Sequence, residues 1–235
     1  MATPIGNLED ITHRALRVLG EVEVIAAEDP RHTRRLLEHY GIHARLTRLF
    51  EHNERARAPA LIERLKLGDS VALVTDAGSP GVADPGYPVV RAALEAGIRV
   101  ESLPGPSAAI AALQVSGFAT DAFTFVGFLP PKSAARKRKL ESLRERVETL
   151  VAFESPHRIE ACLADLAEIW GERSIALARE LTKTFEEVLR GSPSEVAAAL
   201  TPDKRRGEMV LVLEGWTRAS RERGPRGADA RPERE

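Results

Sequence analysis

Residues 71–86 read VALVTDAGSPGVADPG, and this stretch indicates the fold class of the chain. The apolar run 71–74 has no polar alternation, which is typical of a strand buried on both faces of a parallel sheet. The loop that follows is rich in glycine and proline and carries Asp76, Ser79 and Asp84. Loops at the carboxyl ends of strands form the ligand crevice of open α/β sheets. We therefore predict that Asp76 lies at that edge and that the loop wraps a small polar cofactor. The alternative is a plain connection to a helix at 87–96, with Asp76 as a local cap.

Strands and helices alternate on both sides of this stretch, an order that predicts parallel sheet with helices packed on its faces. The predicted strands are 22–27, 45–50, 71–74, 98–103, 122–128, 150–153, 174–178, 184–190 and 209–213. The predicted helices are 10–19, opened by Asp10 and ended by Gly20, then 31–40, 56–67, 87–96, 108–115, 132–146, 159–169 and 194–200. The pattern changes near residues 118–121. We therefore predict an N-terminal α/β domain at 1–118, a C-terminal α/β domain at 119–215 and a disordered tail at 216–235.

The composition excludes several classes of protein. Of 235 residues, 43% are hydrophobic, which is enough for a real core, and the formal net charge is −1. Nucleic-acid binding therefore requires a local basic patch. Cys162 is the single cysteine, which favours a reducing cytoplasm and excludes a disulfide framework. We find no apolar stretch of membrane-spanning length, no signal peptide, no dinucleotide or P-loop fingerprint and no histidine set suited to a metal.

Polar clusters follow many of the predicted strands. They are Glu28-Asp29, His52-Asn53, Asp76, the PGPS of 104–107, the ESPHR of 154–158 and the ELTK of 180–183. Clusters of this kind at one edge of two sheets predict a ligand cleft between two domains. Ser107 stands at a predicted helix start, where its hydroxyl caps the helix or, with the free amides, holds a carboxylate.

Two stretches are strongly basic. Arg31, His32 and Arg34 follow Glu28-Asp29, and they indicate either a solvated helix face or a phosphate grip at the mouth of the cleft. The KSAARKRK of 132–139 is the densest basic cluster of the predicted domains. Such a run is usually solvated surface, and contact with nucleic acid is the competing interpretation.

The motifs in order along the chain resemble those of the RsmI family. They are TPIGNLEDIT (3–12), AAEDPRHTRRLL (26–37), DAGSPGVADPG (76–86), LPGPSAAIAAL (103–113), GFLPPK (127–132), FESPHR (153–158), ARELTK (178–183) and GEMVLVLEG (207–215). These proteins are cytidine 2′-O-methyltransferases of small-subunit ribosomal RNA, within the tetrapyrrole methylase superfamily. The chain departs from the pattern at Pro30, where threonine is usual, and in lacking a first strand before residue 3.

The resemblance implies two α/β domains of the tetrapyrrole methylase fold, with a mostly parallel N-terminal sheet and a mixed C-terminal sheet. It places S-adenosylmethionine in a cleft between them. The substrate would be the ribose of a decoding-centre cytidine of 16S rRNA, methylated on the assembled 30S subunit by a cytoplasmic homodimer. The alternatives are C-methylation of a tetrapyrrole and a non-catalytic RNA-binding assembly factor.

Site residues carry over by motif position. The cofactor contacts would be Ile5, Asp76, Ser79, Ser107, Ala108, Phe153, Leu181 and Met209, although core packing is the alternative for the apolar members of this set. We take Lys183 or Glu28 as the catalytic base, and Lys183 serves only if its pKa is lowered. Contacts with the substrate RNA are expected from Arg31, His32, Arg34, His157 and Arg158. No metal is expected.

Overall fold

The computed structural model describes residues 1–217. The chain forms two compact units, Met1–Ala108 and a second that begins at Ala109. Of the segment predicted to be a disordered tail, only Trp216 and Thr217 are described, and residues 218–235 lie outside the described residues. The Trp216 backbone N–H donates to the Arg146 carbonyl at 2.6 Å.

The first unit contains a three-stranded parallel sheet. Its strands are β1 (Val24–Ala27), β2 (Leu46–Arg48) and β3 (Val71–Val74), in the order β2-β1-β3. Ala27 is in register with both Arg48 and Val74, so the carboxyl ends of the three strands are level. The residues that follow these strands therefore share one edge of the sheet.

Helices cover both faces of this sheet. They are α1 (His13–Glu21), α2 (Pro30–His39), α3 (Glu54–Lys66) and α4 (Tyr87–Glu95). Helix α5 (Ala108–Ser116) follows, at the start of the second unit. Along β1, Ile25 and Ala27 join one apolar cluster, whereas Ala26 joins another with Leu49 and Val89. Both faces of β1 are therefore buried, which explains its continuous apolar sequence.

Three local predictions for the first unit are wrong. Residues 98–103 form no strand, because their backbone finds no ladder partner in the described structure beyond a bond from the Ala2 N–H to the Leu103 carbonyl. Helix α1 is capped by Thr12, whose side chain accepts from the Ala15 N–H, and Asp10 ends a preceding 3₁₀ turn. Gly20 lies inside α1, since the Val22 N–H still bonds to the Val18 carbonyl.

The second unit contains a five-stranded mixed sheet. Its strands are β4 (Phe123–Phe128), β5 (Thr149–Glu154), β6 (Ile175–Arg179), β7 (Glu187–Gly191) and β8 (Met209–Leu213), in the order β4-β5-β8-β6-β7. Only the β4–β5 pair is parallel. Helices α6 (Ser133–Leu143), α7 (Ile159–Trp170) and α8 (Pro193–Ala199) accompany it, and the core is built around residues such as Leu163, Trp170 and Leu211.

Within residues 1–217, no helix is long and apolar enough to cross a membrane.

Candidate functional site

The carboxyl ends of β1 and β3 are tied together through two acidic side chains. The Asp76 backbone N–H donates to Glu28 Oε2 at 3.2 Å, and the Asp29 backbone N–H donates to Asp76 Oδ1 at 3.1 Å. Asp76 does not cap helix α4, whose N-cap residue is Gly86. The sheet edge therefore presents adjacent carboxylates, as the sequence predicts from the strand ends.

Glu28 and Asp29, the two neighbours of Asp76 at this edge, have pKa values shifted in opposite directions. Burial raises the pKa of Glu28, and the charges of Asp76, Asp29 and Glu51 add to the rise, while the hydrogen bond from the Asp76 N–H opposes it. Hydrogen bonding to the Arg31 side chain lowers the pKa of Asp29 to about 2. Asp29 also accepts from the Arg31 backbone N–H and so caps α2. Glu28 is thus the carboxylate best suited to accept a proton.

The loop 76–86 is held by hydrogen bonds to two other parts of the first unit, the N-terminal segment and the start of α3. Thr3 and Gly78 exchange two backbone hydrogen bonds of 2.9 and 3.0 Å. The buried carboxylate of Glu54, at the start of α3, accepts from the Gly86 N–H at 2.7 Å. Gly86 has φ of 138°, and a Cβ there would lie 2.9 Å from Leu73 Cδ2. The loop path therefore requires glycine at this position.

The structure brings the first-unit cofactor candidates close to one another. A Cβ on Gly78 would lie 3.8 Å from Ile5 Cγ2 and 4.0 Å from the Pro106 carbonyl oxygen. The loop 76–79 thus runs beside Ile5 and beside the stretch that leads through Ser107 into α5. Asp76, Ser79, Ser107 and Ala108 are half-buried, so a ligand can reach them, whereas Ile5 is buried.

The second-unit candidates share one end of the mixed sheet. Met209 opens β8 and is in register with Glu154, at the end of β5, and with Arg179, at the end of β6. Phe153 is half-buried and packs edge-on against Phe125 and Phe128, with ring centroids 4.9 and 5.6 Å away. The Met209 side chain is 2% exposed and belongs to the core, so its part in cofactor binding stays a prediction.

The turn after β6 is strained. Glu180 and Thr182 have φ of 50° and 65°, a region that residues other than glycine rarely adopt. Between them lies Leu181, which is buried at 8% exposure. The Thr182 hydroxyl is buried and has no hydrogen-bond partner among the described residues. Strain and an unsatisfied donor in one turn are typical of a ligand-binding segment.

Lys183 lies in the same turn between two carboxylates. Its Nζ is 2.9 Å from Glu180 Oε1 and 3.1 Å from Glu208 Oε2. Burial alone lowers the pKa of Lys183, but the hydrogen bonds to Glu180 and Glu208 outweigh it, and the net shift is upward. The lowered pKa that a basic role requires is therefore absent here, and the ammonium suits an anion instead.

The RNA-contact candidates divide by exposure. Arg31, His32, Arg34 and His157 are exposed. Arg158 is different, because its guanidinium lies 2.6 Å from the fully buried carboxylate of Glu154. In the basic helix α6, Arg136 is 2% exposed and pairs with Asp165 at 2.6 Å, so it holds α6 to α7 and is not available to RNA.

Comparison with known proteins identifies the family. Residues 2–197 match the family of Tetrapyrrole (Corrin/Porphyrin) Methylases. The Haemophilus influenzae protein named Ribosomal RNA small subunit methyltransferase I is 51% identical over 218 residues, which cover 92% of this chain and 77% of that protein. This chain belongs to the same family of methyltransferases. The Micromonospora olivasterospora member is 50% identical, and the matched region covers 91% of this chain and 68% of that protein.

Solved structures confirm the fold. Uroporphyrin-III-C-methyltransferase from Thermus thermophilus superposes with a TM-score of 0.64 at 24% identity, covering 95% of this chain and 96% of that one. Another structure of that enzyme, complexed with S-adenyl homocysteine, has a TM-score of 0.61 at 20% identity and covers 89% and 93% of the two chains. Family membership also confirms the expected cofactor, S-adenosylmethionine.

The residues present fit this cofactor. S-adenosylmethionine carries an ammonium, a carboxylate, a ribose and an adenine. The first unit offers the Asp76 carboxylate and the Ser107 hydroxyl for polar groups, and the second offers Phe153, Leu181 and the unsatisfied Thr182 hydroxyl. Glu54 and Thr182 are not among the residues predicted from the sequence. An isolated glutamate that opens a helix and a threonine in a loop carry no pattern that reveals their burial.

Proposed function

We propose that this protein transfers the methyl group of S-adenosylmethionine to the ribose 2′-hydroxyl of a cytidine in 16S rRNA. The target would be the decoding-centre cytidine at position 1402 in the usual rRNA numbering. The observation that carries the proposal is the similarity, about half of all residues over 92% of this chain, to proteins named for methylation of small-subunit ribosomal RNA.

The cofactor chemistry sets what the chain must supply. S-adenosylmethionine supplies an activated methyl group, so the protein has to orient the acceptor oxygen and exclude water. A ribose hydroxyl is a weak nucleophile at neutral pH, and a hydrogen-bond acceptor for its proton favours transfer. Glu28 has the raised pKa and the half-buried position that suit this role. We therefore assign proton acceptance to Glu28.

Lys183 takes a different part in this proposal. Its raised pKa keeps the ammonium charged at neutral pH, where it stabilises a phosphate or the substrate ribose. Its bonds to Glu180 and Glu208 also support the turn that carries Leu181 and Thr182. We expect the cofactor candidates named above to take part in cofactor binding.

Recognition of the RNA is assigned to basic residues, all of which except the half-buried Arg158 are exposed. Arg31, His32 and Arg34 lie in the first turns of α2, directly after the Glu28-Asp29 edge. His157 and Arg158 follow β5 in the second unit. We expect them to hold the phosphates and sugars around the target and to leave cofactor affinity unchanged when they are replaced.

The proposal includes the setting of the reaction. We infer a cytoplasmic homodimer that acts on the assembled 30S subunit. Aromatic side chains suited to stacking an unpaired base are few near these residues, which favours a target whose shape the subunit already presents. Sedimentation of the purified protein checks the dimer.

Mapping of ribose methylation tests the function. We expect one 2′-O-methyl cytidine of 16S rRNA to be lost when the gene is deleted and restored by the wild-type gene. Purified protein should label isolated 30S subunits more efficiently than naked 16S rRNA.

Three outcomes would contradict the proposal. Methyl transfer to a tetrapyrrole precursor without transfer to 30S subunits would assign the chain to C-methylation. Binding of S-adenosylmethionine without any transfer, or RNA binding without cofactor binding, would assign it to a non-catalytic assembly role.

A further inference from the structure

A cavity of about 250 Å³ lies along the edge strand β2 and helix α3 of the first unit. Four arginines, Arg45, Arg48, Arg57 and Arg64, are among its lining residues, and we call it the arginine pocket. The other lining residues are Val24, Leu46, Thr47, Leu49, Ala60 and Leu61, so no acidic side chain lines it. Such a concentration of one charge is costly unless an anion offsets it.

Only one of these arginines has an acidic partner within the described residues. Arg64 pairs with Asp69 at 2.7 Å. Arg48 lies over the Phe50 ring, with its guanidinium carbon 4.5 Å from the ring centroid. Arg45 and Arg57 are exposed and belong to no ion pair in residues 1–217. Three guanidinium groups thus remain available to a ligand.

The backbone of β2 adds donors to the same place. The Ile25 N–H bonds to the Arg45 carbonyl and the Leu49 N–H bonds to the Ala27 carbonyl, so these residues of the β2 segment face β1. Leu46 and Arg48 alternate with them, and their amides therefore face the open edge. Guanidinium forks beside edge amides match the oxygens of a phosphate.

We propose that the arginine pocket binds phosphodiester groups of the RNA substrate, as an anchoring site additional to the exposed basic residues of α2. The inference rests on the proposed function for the identity of the ligand. The cavity is smaller than the roughly 300–1,000 Å³ of pockets that enclose whole organic ligands, which suits a phosphate. Arg48 is in register with Ala27, the residue before Glu28, and its charge acts on Asp29. An RNA strand bound in the arginine pocket can therefore extend toward Glu28 and Asp29 at the end of β1.

The salt dependence of RNA binding tests the pocket. The test protein carries Arg45→Gln, Arg48→Gln and Arg57→Gln, and the matched control carries Arg17→Gln, Arg91→Gln and Arg99→Gln, which remove the same charge from arginines paired on the surface. Each lost phosphate contact reduces the slope of log affinity against log salt by about 0.7 for single strands. We expect up to ~100-fold weaker binding of 30S subunits at 0.1 M salt, converging near 1 M. Equal loss in both triple variants would overturn the proposal.

Arginine modification provides a readout that does not depend on variants. Phenylglyoxal labelling of the wild-type protein, read by mass spectrometry, should show Arg45, Arg48 and Arg57 protected by an RNA oligonucleotide and Arg17 unprotected. Protection by inorganic phosphate but not by RNA would mean that a free anion is the ligand, and the proposal would fail.

The two proposals can fail separately. If 30S methylation is absent but the oligonucleotide still protects the pocket, the proposed reaction is wrong and the anion site stands. If methylation occurs and the pocket arginines react equally with and without RNA, the pocket is wrong and the reaction stands.

Discussion

At the scale of single residues, Glu28 is where catalysis can be tested most directly. Glu28→Gln keeps one oxygen that accepts from the Asp76 N–H, and it replaces the charged, proton-accepting carboxylate with a neutral amide. We expect methyl transfer to fall by about 10²-fold, the lower range for loss of a general base, with cofactor affinity unchanged. Because burial raises the pKa of Glu28, the wild-type rate should fall as the pH drops through a value above that of an ordinary glutamate, and the variant should lack this limb. Rates from pH 5 to 9 check both, and an unchanged profile would exclude Glu28 as the base.

Arg158 combines a structural role with the proposed contact to RNA. Arg158→Ala leaves the buried Glu154 carboxylate without its charged partner, so we expect a loss of roughly 3 kcal/mol in the free energy of unfolding. The double variant Glu154→Gln, Arg158→Gln removes both charges and should recover most of that loss. If Arg158 also contacts RNA, 30S methylation stays weak in the double variant despite its stability. Recovery of methylation along with stability would limit Arg158 to the ion pair.

The sequence predicted residue positions correctly where a residue directly follows a strand, because the strand then fixes where that residue lies. Glu28 and Asp76 each follow an apolar run, and parallel strands bring such residues to one edge, which the structure confirms. Arg158 and Glu154 are only four residues apart, but they span the turn between β5 and α7, where the helical i,i+4 rule does not apply. The acidic surroundings of Lys183 include Glu208, which lies 25 residues further along the chain. No rule of sequence spacing reveals these contacts. The sequence analysis could therefore say only that Lys183 acts as a base if its pKa is lowered.

At the scale of elements, the loop 76–86 gives the sharpest test. Gly86→Ala places a Cβ against Leu73 in a backbone region closed to alanine, so we expect a loss of about 2 kcal/mol and weaker cofactor binding. Gly97→Ala is the matched control, because φ there is 71° and nothing lies within 4 Å of the added Cβ. Its cost should be nearer 1 kcal/mol, with cofactor binding intact. Equal effects in the two variants, by denaturant unfolding and calorimetry, would mean that the loop does not shape the site.

Strands were predicted correctly where an apolar run has a neighbouring strand with which it pairs. The runs 71–74 and 209–213 are strands with the predicted bounds. The stretch 98–103 also alternates as a strand should, yet most of it is exposed and it joins no ladder. A strand forms only when its backbone hydrogen-bonds to a neighbouring strand. The sequence of one segment therefore does not reveal whether such a neighbour exists.

At the scale of the whole molecule, the contribution of residues in each unit to cofactor binding can be measured by ligand-linked stability. S-adenosylhomocysteine at 100 times its dissociation constant should stabilise the wild-type protein by about 2.7 kcal/mol, because it binds only the folded state. We expect Asp76→Asn, in the first unit, and Thr182→Val, in the second, each to shrink this shift at the same ligand concentration. Arg17→Gln, on the surface of α1, should leave it unchanged. An unchanged shift in Thr182→Val would remove Thr182 from the proposed cofactor contacts, because losing a contact made only in the bound folded state must lower ligand affinity and therefore the stabilisation.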